Sequence, residues 1–236
     1  MKCNSSPKGC FAHAVRVGSR ESYSRRPGSD ATLESTGARL KTFPNVVVIG
    51  ASDGGSKALL AILEHLPSTF AAPIFAALAT DPRRLNRLCS ALARGGRLPV
   101  QLAQDGEAIR DGQLYLTPPG VQLLLSERSM HLSDAAHRLG YRSVVDPLFA
   151  SAADVFGERV IAVVLSGASD DGAMGLRAVK REGGIAMVQD PRDASFPRMP
   201  LHAIRSAPVD HVLPAAEIGA ALALLVHDSR LLRRTA

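Results

Sequence analysis

Ser52 lies in Gly50-Ala51-Ser52-Asp53-Gly54, a G-x-S-x-G spacing. It directly follows the β-branched run Val46-Val47-Val48-Ile49 and precedes helix-forming residues that begin at about Gly55. Such a run packs well on a pleated surface and reads as a buried strand. On a strand-turn-helix, flanking glycines permit a tight turn that raises the serine oxygen above the sheet edge. The helix that follows aims free N–H groups and a partial positive charge at any anion formed there. The chemistry this allows is nucleophilic attack on an acyl carbon. Two other readings fit the same residues. Ser52 could be the N-cap of an ordinary glycine-rich turn. Alternatively, Gly50, Ser52 and Gly55 could stand for a dinucleotide fingerprint, with Asp81 as the ribose-binding acid after the next apolar run. That reading fails at Ser52, because the middle glycine is what lets a pyrophosphate reach the backbone.

A second loop of similar character, Ser166-Gly167-Ala168-Ser169-Asp170-Asp171-Gly172, follows the apolar run Val160–Leu165. The intervening chain alternates strand and helix signals. A helix over about 56–65 carries Leu59, Ile62, Leu63 and Leu66 on its apolar side and ends at Pro67. Pro73–Thr80 reads as a strand. Asp81-Pro82 opens a helix through Leu85, Leu88 and Leu92, stopped by Gly95-Gly96. Val100–Ala103 is a short strand. Leu114–Thr117, Gln122–Leu125 and Met130–Leu132 follow too closely for helical crossovers, which predicts an inserted antiparallel ribbon. A helix over Pro147–Phe156, a strand over Ile185–Gln189 and an amphipathic helix over Pro214–Val226 complete the pattern. The fold class expected is α/β, a doubly wound and mostly parallel sheet, with the site at the carboxyl ends of its strands.

The chain has 236 residues and a net charge of +6. Residues 1–43 hold eight Lys or Arg against three Asp or Glu, which accounts for +5 of it. The basic character therefore belongs to the tail, and no aromatic-basic interleaving marks a nucleic-acid surface elsewhere. Cys3, Cys10 and Cys89 are too scattered for a disulfide framework or a zinc site, which points to a reducing cytoplasm. No apolar run reaches the roughly 18 residues of a membrane span. The organisation expected is a disordered basic tail over 1–43, a folded domain over 44–228 and a short C-terminal tail over 229–236.

The two loops together resemble the CheB-type protein-glutamate methylesterase domain of bacterial chemotaxis. Further matching stretches are Gln104-Asp105-Gly106-Glu107, Tyr115-Leu116-Thr117-Pro118-Pro119, Val145-Asp146-Pro147-Leu148-Phe149, Gln189-Asp190-Pro191 and Met199-Pro200, in the family's order. The resemblance implies a stand-alone domain without a receiver module, needing no metal or cofactor, and acting on a methyl-accepting chemoreceptor or related signalling protein. It implies that Ser52 is the nucleophile and that Asp171 orients the catalytic histidine. It sets the oxyanion and cleft positions at Ala168, Gly54, Gly55 and Met199.

One position departs from the family. Its catalytic histidine falls at Thr80, and threonine cannot take a proton from serine. Asp81 beside it reads as a helix cap and is a weak base by type. His202, near Met199-Pro200, is the one histidine beside a family loop and is the candidate replacement base. His65, His131, His137 and His211 read as surface or structural residues. Two functions stay open: an ester hydrolase, or a catalytically impaired module that keeps the cleft to bind a signalling partner. Because the tail lacks an apolar face, removing residues 1–42 is expected to leave the melting temperature nearly unchanged, as read by calorimetry. A drop of more than a few degrees would mean that the tail docks on the fold.

Overall fold

In the computed structural model, β1 (Val46–Ala51) is buried along its whole length. Val46 and Val48 face one layer while Val47, Ile49 and Ala51 face the other. A strand covered on both faces belongs in the middle of a parallel sheet. It pairs in parallel with β2 (Ile74–Leu78) on one side and β7 (Val160–Val164) on the other. The structure describes residues 45–79, 82–134 and 143–234, without the side chains of Pro82, Arg84 and 228–234. The chain divides into two units, Met1–Leu40 and Lys41–Ala236, and every described residue lies in the second.

The sheet has seven strands in the order β3-β4-β2-β1-β7-β8-β9. Its remaining members are β3 (Val100–Leu102), β4 (Leu114–Leu116), β8 (Ile185–Gln189) and β9 (His211–Leu213), all parallel. From β1 the chain moves to β2, on to β3 at the edge and back to β4 between them, then returns to β7 and winds the other way to β8 and β9. The carboxyl ends of β1 and β7 therefore flank the switch point, where a crevice opens in folds of this kind. Both loops singled out by the sequence lie there.

Helices α1 (Gly55–Glu64), α2 (Pro82–Gly95) and α6 (Ala215–Arg234) cover one face through Leu59, Leu63, Leu92, Ile218 and Leu222. Helices α3 (Val145–Phe156), α4 (Ala173–Arg181) and α5 (Arg198–Ser206) cover the other through Phe149, Leu176 and Ala203. The hairpin β5 (Gln122–Leu125) and β6 (Met130–Ser133) is antiparallel and adds Leu123, Leu125 and Met130 to that second layer.

Three details differ from the sequence-based expectation. The expected ribbon of three strands has two, because Leu114–Leu116 joins the main sheet between β3 and β2. Its side chains are buried on both faces, with Tyr115 stacked on Phe75 at 5.3 Å, which a strand in an exposed ribbon could not achieve. The parallel return from β3 is made by residues 103–113, long enough for a crossover without a helix. Helix α5 was not foreseen; Pro200 sits in its first turn, where a missing N–H has no helical partner to lose. The last helix runs to Arg234, past the expected end at Val226 and through most of the expected tail, since no Gly or Pro interrupts 227–234.

Helices α3 and α4 cross at Gly175, where an added Cβ would stand 2.5 Å from Phe149 Cβ and 2.9 Å from the Asp146 carbonyl. Neither neighbour is a flexible chain end. Gly175→Ala is therefore expected to destabilise the fold by about 1–3 kcal/mol through overpacking, despite alanine's better helix propensity. Denaturant unfolding checks this, and unchanged or raised stability would show that the helices can part freely.

Candidate active site

The turn after β1 is held by hydrogen bonds that carry the β1–β7 pairing past the strand ends. Leu165 donates its N–H to Gly50 O at 2.9 Å, and Ser52 donates its N–H to Ser166 O at 3.1 Å. Gly54 then takes φ +75 as the N-cap of α1, a left-handed conformation that suits glycine. A side chain there is also excluded by space, since Ser166 Oγ and Ser195 Cβ would stand 2.6 and 2.9 Å from its Cβ.

Ser166, 1% exposed, was not assigned a role from sequence. Its hydroxyl donates to the Asp53 carbonyl at 2.8 Å and accepts the Phe196 N–H at 3.0 Å. Its own N–H is received by Gln189 Oε1 at 2.8 Å. Gln189 Nε2 in turn donates to Asp193 Oδ2 at 2.7 Å, which also receives the Ala215 N–H at 2.9 Å. Buried polar atoms thus tie the ends of β1, β7 and β8 to the start of α6. The available signal was a buried polar residue at the end of each apolar strand, Ser166 and Gln189, where only hydrogen bonding tolerates one.

Ser52 is half-buried beside Gly167. A Cβ on Gly167 would stand 2.9 Å from Ser52 Cβ and 2.6 Å from Met199 Sδ, so glycine is required where the second loop passes between them. The structure therefore brings Ser52, Gly54, Gly167 and Met199 together, and Gly55 closes the turn by donating its N–H to Ser52 O at 3.0 Å. Gly167 donates its N–H to Phe196 O, whereas the amides of Asp53 and Ala168 have no acceptor among the described residues. Ser52 Oγ donates to Asp53 Oδ2 at 3.5 Å.

Asp171 is half-buried and its carboxylate is fully engaged. Oδ1 receives Ser143 Oγ at 2.6 Å and the Asp146 N–H at 3.0 Å. Oδ2 receives the N–H groups of Val144 and Val145 at 2.8 and 3.0 Å. Four donors fill the four lone-pair positions of a carboxylate, and three of them are the orphan amides that begin α3. This is why α3 starts at Val145, ahead of Pro147. Asp146 returns the arrangement by receiving the Gly175 N–H at 2.7 Å in the first turn of α4. Burial pushes the Asp146 carboxyl above the usual carboxylate range, helped by the charge of Asp171.

No hydrogen bond joins His202 to Ser52 or to the Asp171 carboxylate among the described residues. Its Nδ1 donates to the Asp170 carbonyl at 3.1 Å, which leaves Nε2 as the basic nitrogen of the neutral ring. It lines a largely apolar cleft of about 370 Å³ with Ala168, Phe196, Leu201 and Arg205. Arg198 grips Asp170 through two bonds of 2.9 and 2.8 Å and holds that carboxyl below its usual range. Thr80, Asp81 and His137 lie outside the described residues.

A doubly wound parallel sheet with two glycine-bearing loops meeting at its switch point defines an α/β protein whose site is built from strand ends. The family model for CheB methylesterase matches residues 47–222. The chain belongs to that family. It is 33% identical over 214 residues to a protein-glutamate methylesterase/protein-glutamine glutaminase of Saccharophagus degradans, covering 90% of this chain and 58% of that protein. A protein of the same name from Anaeromyxobacter dehalogenans is 41% identical over 177 residues, covering 75% of this chain and 52% of its own. The chain thus spans a little over half the length of these curated relatives. The crystal structure of the Thermotoga maritima CheB methylesterase catalytic domain superposes with a TM-score of 0.73 at 32% identity, covering 77% of this chain and 98% of that one.

The two carboxylates should respond differently to amidation. Asp171→Asn turns an amide group toward the N–H donors of α3 and is expected to cost about 1–3 kcal/mol, with a lower melting temperature. Asp146→Asn keeps an acceptor for Gly175 and should cost less. Because folding raises the Asp146 pKa, protonation favours the native state. Wild type should therefore gain stability relative to Asp146→Asn as pH falls through the raised value, levelling off below the ordinary range near 4. Melting temperatures between pH 7 and 4 check the sign, and a gap that does not narrow or reverse in that direction would contradict it.

Proposed function

We propose that this chain is a protein-glutamate methylesterase of bacterial chemotaxis signalling, working in the cytoplasm on glutamyl methyl esters of a methyl-accepting chemoreceptor. The names of its relatives add the hydrolysis of glutamine side chains to the same chemistry. The observation that carries the reading is Ser52 on a strand-turn-helix at the sheet's switch point, pressed against the second loop at Gly167.

In this reading Ser52 Oγ attacks the ester carbonyl carbon. The amides of Asp53 and Ala168, together with the N-terminal end of α1, stabilise the negative charge that forms on the carbonyl oxygen. Methanol leaves, and water then releases the glutamate from the acyl-serine. The chemistry uses neither metal nor cofactor. Asp171 would orient an imidazole in relatives that have one, and in this chain it fixes the start of α3. No helix among the described residues is long and apolar enough to cross a membrane, which accords with a protein that meets its receptor from the aqueous side.

A second reading, a binding module with impaired catalysis, draws on Thr80 at the family's histidine position and on the saturated carboxylate of Asp171. Methanol release from a methylated receptor fragment separates the two. Turnover that disappears in Ser52→Ala is expected of the enzyme, and no turnover in wild type belongs to the module. Placing an imidazole by Thr80→His should raise turnover on the order of 10²-fold, again lost with Ser52→Ala. No gain over an inactive wild type, with the fold intact, would favour the binding module.

A further inference from the structure

Ser52 needs a proton acceptor, and neither of the groups expected from sequence to help it is bonded to it among the described residues. Asp171 has four donors on its two oxygens. His202 is held by the Asp170 carbonyl and lines the cleft beside Phe196 and Leu201. Asp53 is different. Its backbone is pinned by the Ser166 hydroxyl, which donates to its carbonyl at 2.8 Å. Its exposed carboxylate does not cap α1, whose N-cap is Gly54 and which has no side-chain cap. Among the described residues the partner of that carboxylate is Ser52 Oγ, 3.5 Å from Oδ2. Asp53 stands one residue ahead of that N-cap, so its carboxylate is left to turn toward the preceding serine.

We propose that Asp53 is the general base for Ser52, an assignment that rests on reading Ser52 as the nucleophile. The contact is long for a hydrogen bond, as catalytic contacts often are before substrate is bound, and it tightens when the ester carbonyl enters. As Oγ bonds to the carbonyl carbon, its proton passes to Asp53 Oδ2 and the π pair moves to the carbonyl oxygen. The carboxylate thus loses its charge as the oxyanion gains one, so the two negative charges are never adjacent. On collapse the C–OCH3 bond breaks, and the leaving oxygen takes the proton from Asp53 and departs as methanol. Water then attacks the acyl-serine, delivering a proton to Asp53 that returns to Ser52 Oγ as the glutamate leaves. A neighbouring carboxylate gains its effectiveness from proximity rather than from basicity. Thr80 at the family's histidine position is then the loss of one base in a site that holds another.

The test is the rate at which a fluorophosphonate labels the full chain, with the modified residue located by peptide mapping. Wild type should be labelled at Ser52. Asp53→Ala should label on the order of 10²-fold more slowly, with the melting temperature within a degree or so because the carboxylate is exposed. Added formate, a free carboxylate, should restore part of the rate in Asp53→Ala in proportion to its concentration. Labelling of Asp53→Ala at the wild-type rate would overturn the assignment. So would a slow rate that formate does not lift, which marks a merely positional effect, or a loss in His202→Gln as large as in Asp53→Ala. Wild type unlabelled at Ser52 would overturn the nucleophile itself, an outcome distinguishable because it needs no variant.

Discussion

The carboxylate of Asp171 is the constraint on which the site's architecture hangs. By collecting the N–H groups of Val144, Val145 and Asp146 and the hydroxyl of Ser143, it sets where α3 begins. That fixes Val145, which is 1% exposed and acts as a wedge beneath both loops. Its Cγ1 occupies the space of a Cβ at Gly50, 2.2 Å away, and at Gly172, 2.8 Å away. The two glycines are required because the wedge is there. A charge-assisted cap of this kind is stronger than a neutral one, and it is answered by Asp146 of α3, which receives the Gly175 N–H of α4, so each helix start holds the other. The aspartate that the family resemblance makes a catalytic partner also fixes the start of α3.

The second fastening is uncharged. Ser166 and Gln189 stand at the ends of strands that are otherwise apolar, and each uses its polar atoms to bind a neighbouring loop. Leaving such buried groups without partners is costly, so satisfied they favour one arrangement of the loops over others. The turn bearing Ser52 is thereby held from three sides, by β7, by the loop before α5 and by its own helix. Preorganisation of that sort is what a nucleophile and its oxyanion donors need, because nothing has to move when charge develops.

Much of this was legible in the chain. The β-branched runs Val46–Ile49 and Val160–Leu165 marked central parallel strands, since their burial on both faces is written in their lack of alternation. The glycines at 50 and 54 marked the tight turn around Ser52. Leu114–Leu116 was misplaced because three residues carry no periodicity able to distinguish a sheet member from a ribbon, and only the pairing with β2 and β3 decides it. Helix α5 was hidden by Pro200, which reads as a breaker unless it falls in a first turn. The engagement of Asp171 could not be seen either, because its donors lie 25 to 28 residues upstream and three of the four are backbone amides, which no residue type announces. Asp53 was passed over for a related reason. In sequence it is the filler of a G-x-S-x-G motif, and only the turn geometry shows that its carboxylate is spent on no cap.

The proposed reaction requires a covalent acyl intermediate on Ser52. Mixing the protein with a peptide bearing a glutamyl methyl ester and quenching in acid within the first turnovers traps that species for mass spectrometry. A mass gain equal to the peptide less methanol is expected, located on the fragment that contains Ser52 and absent from Ser52→Ala. Methanol release that proceeds with no adduct, or with the adduct on another residue, would contradict it.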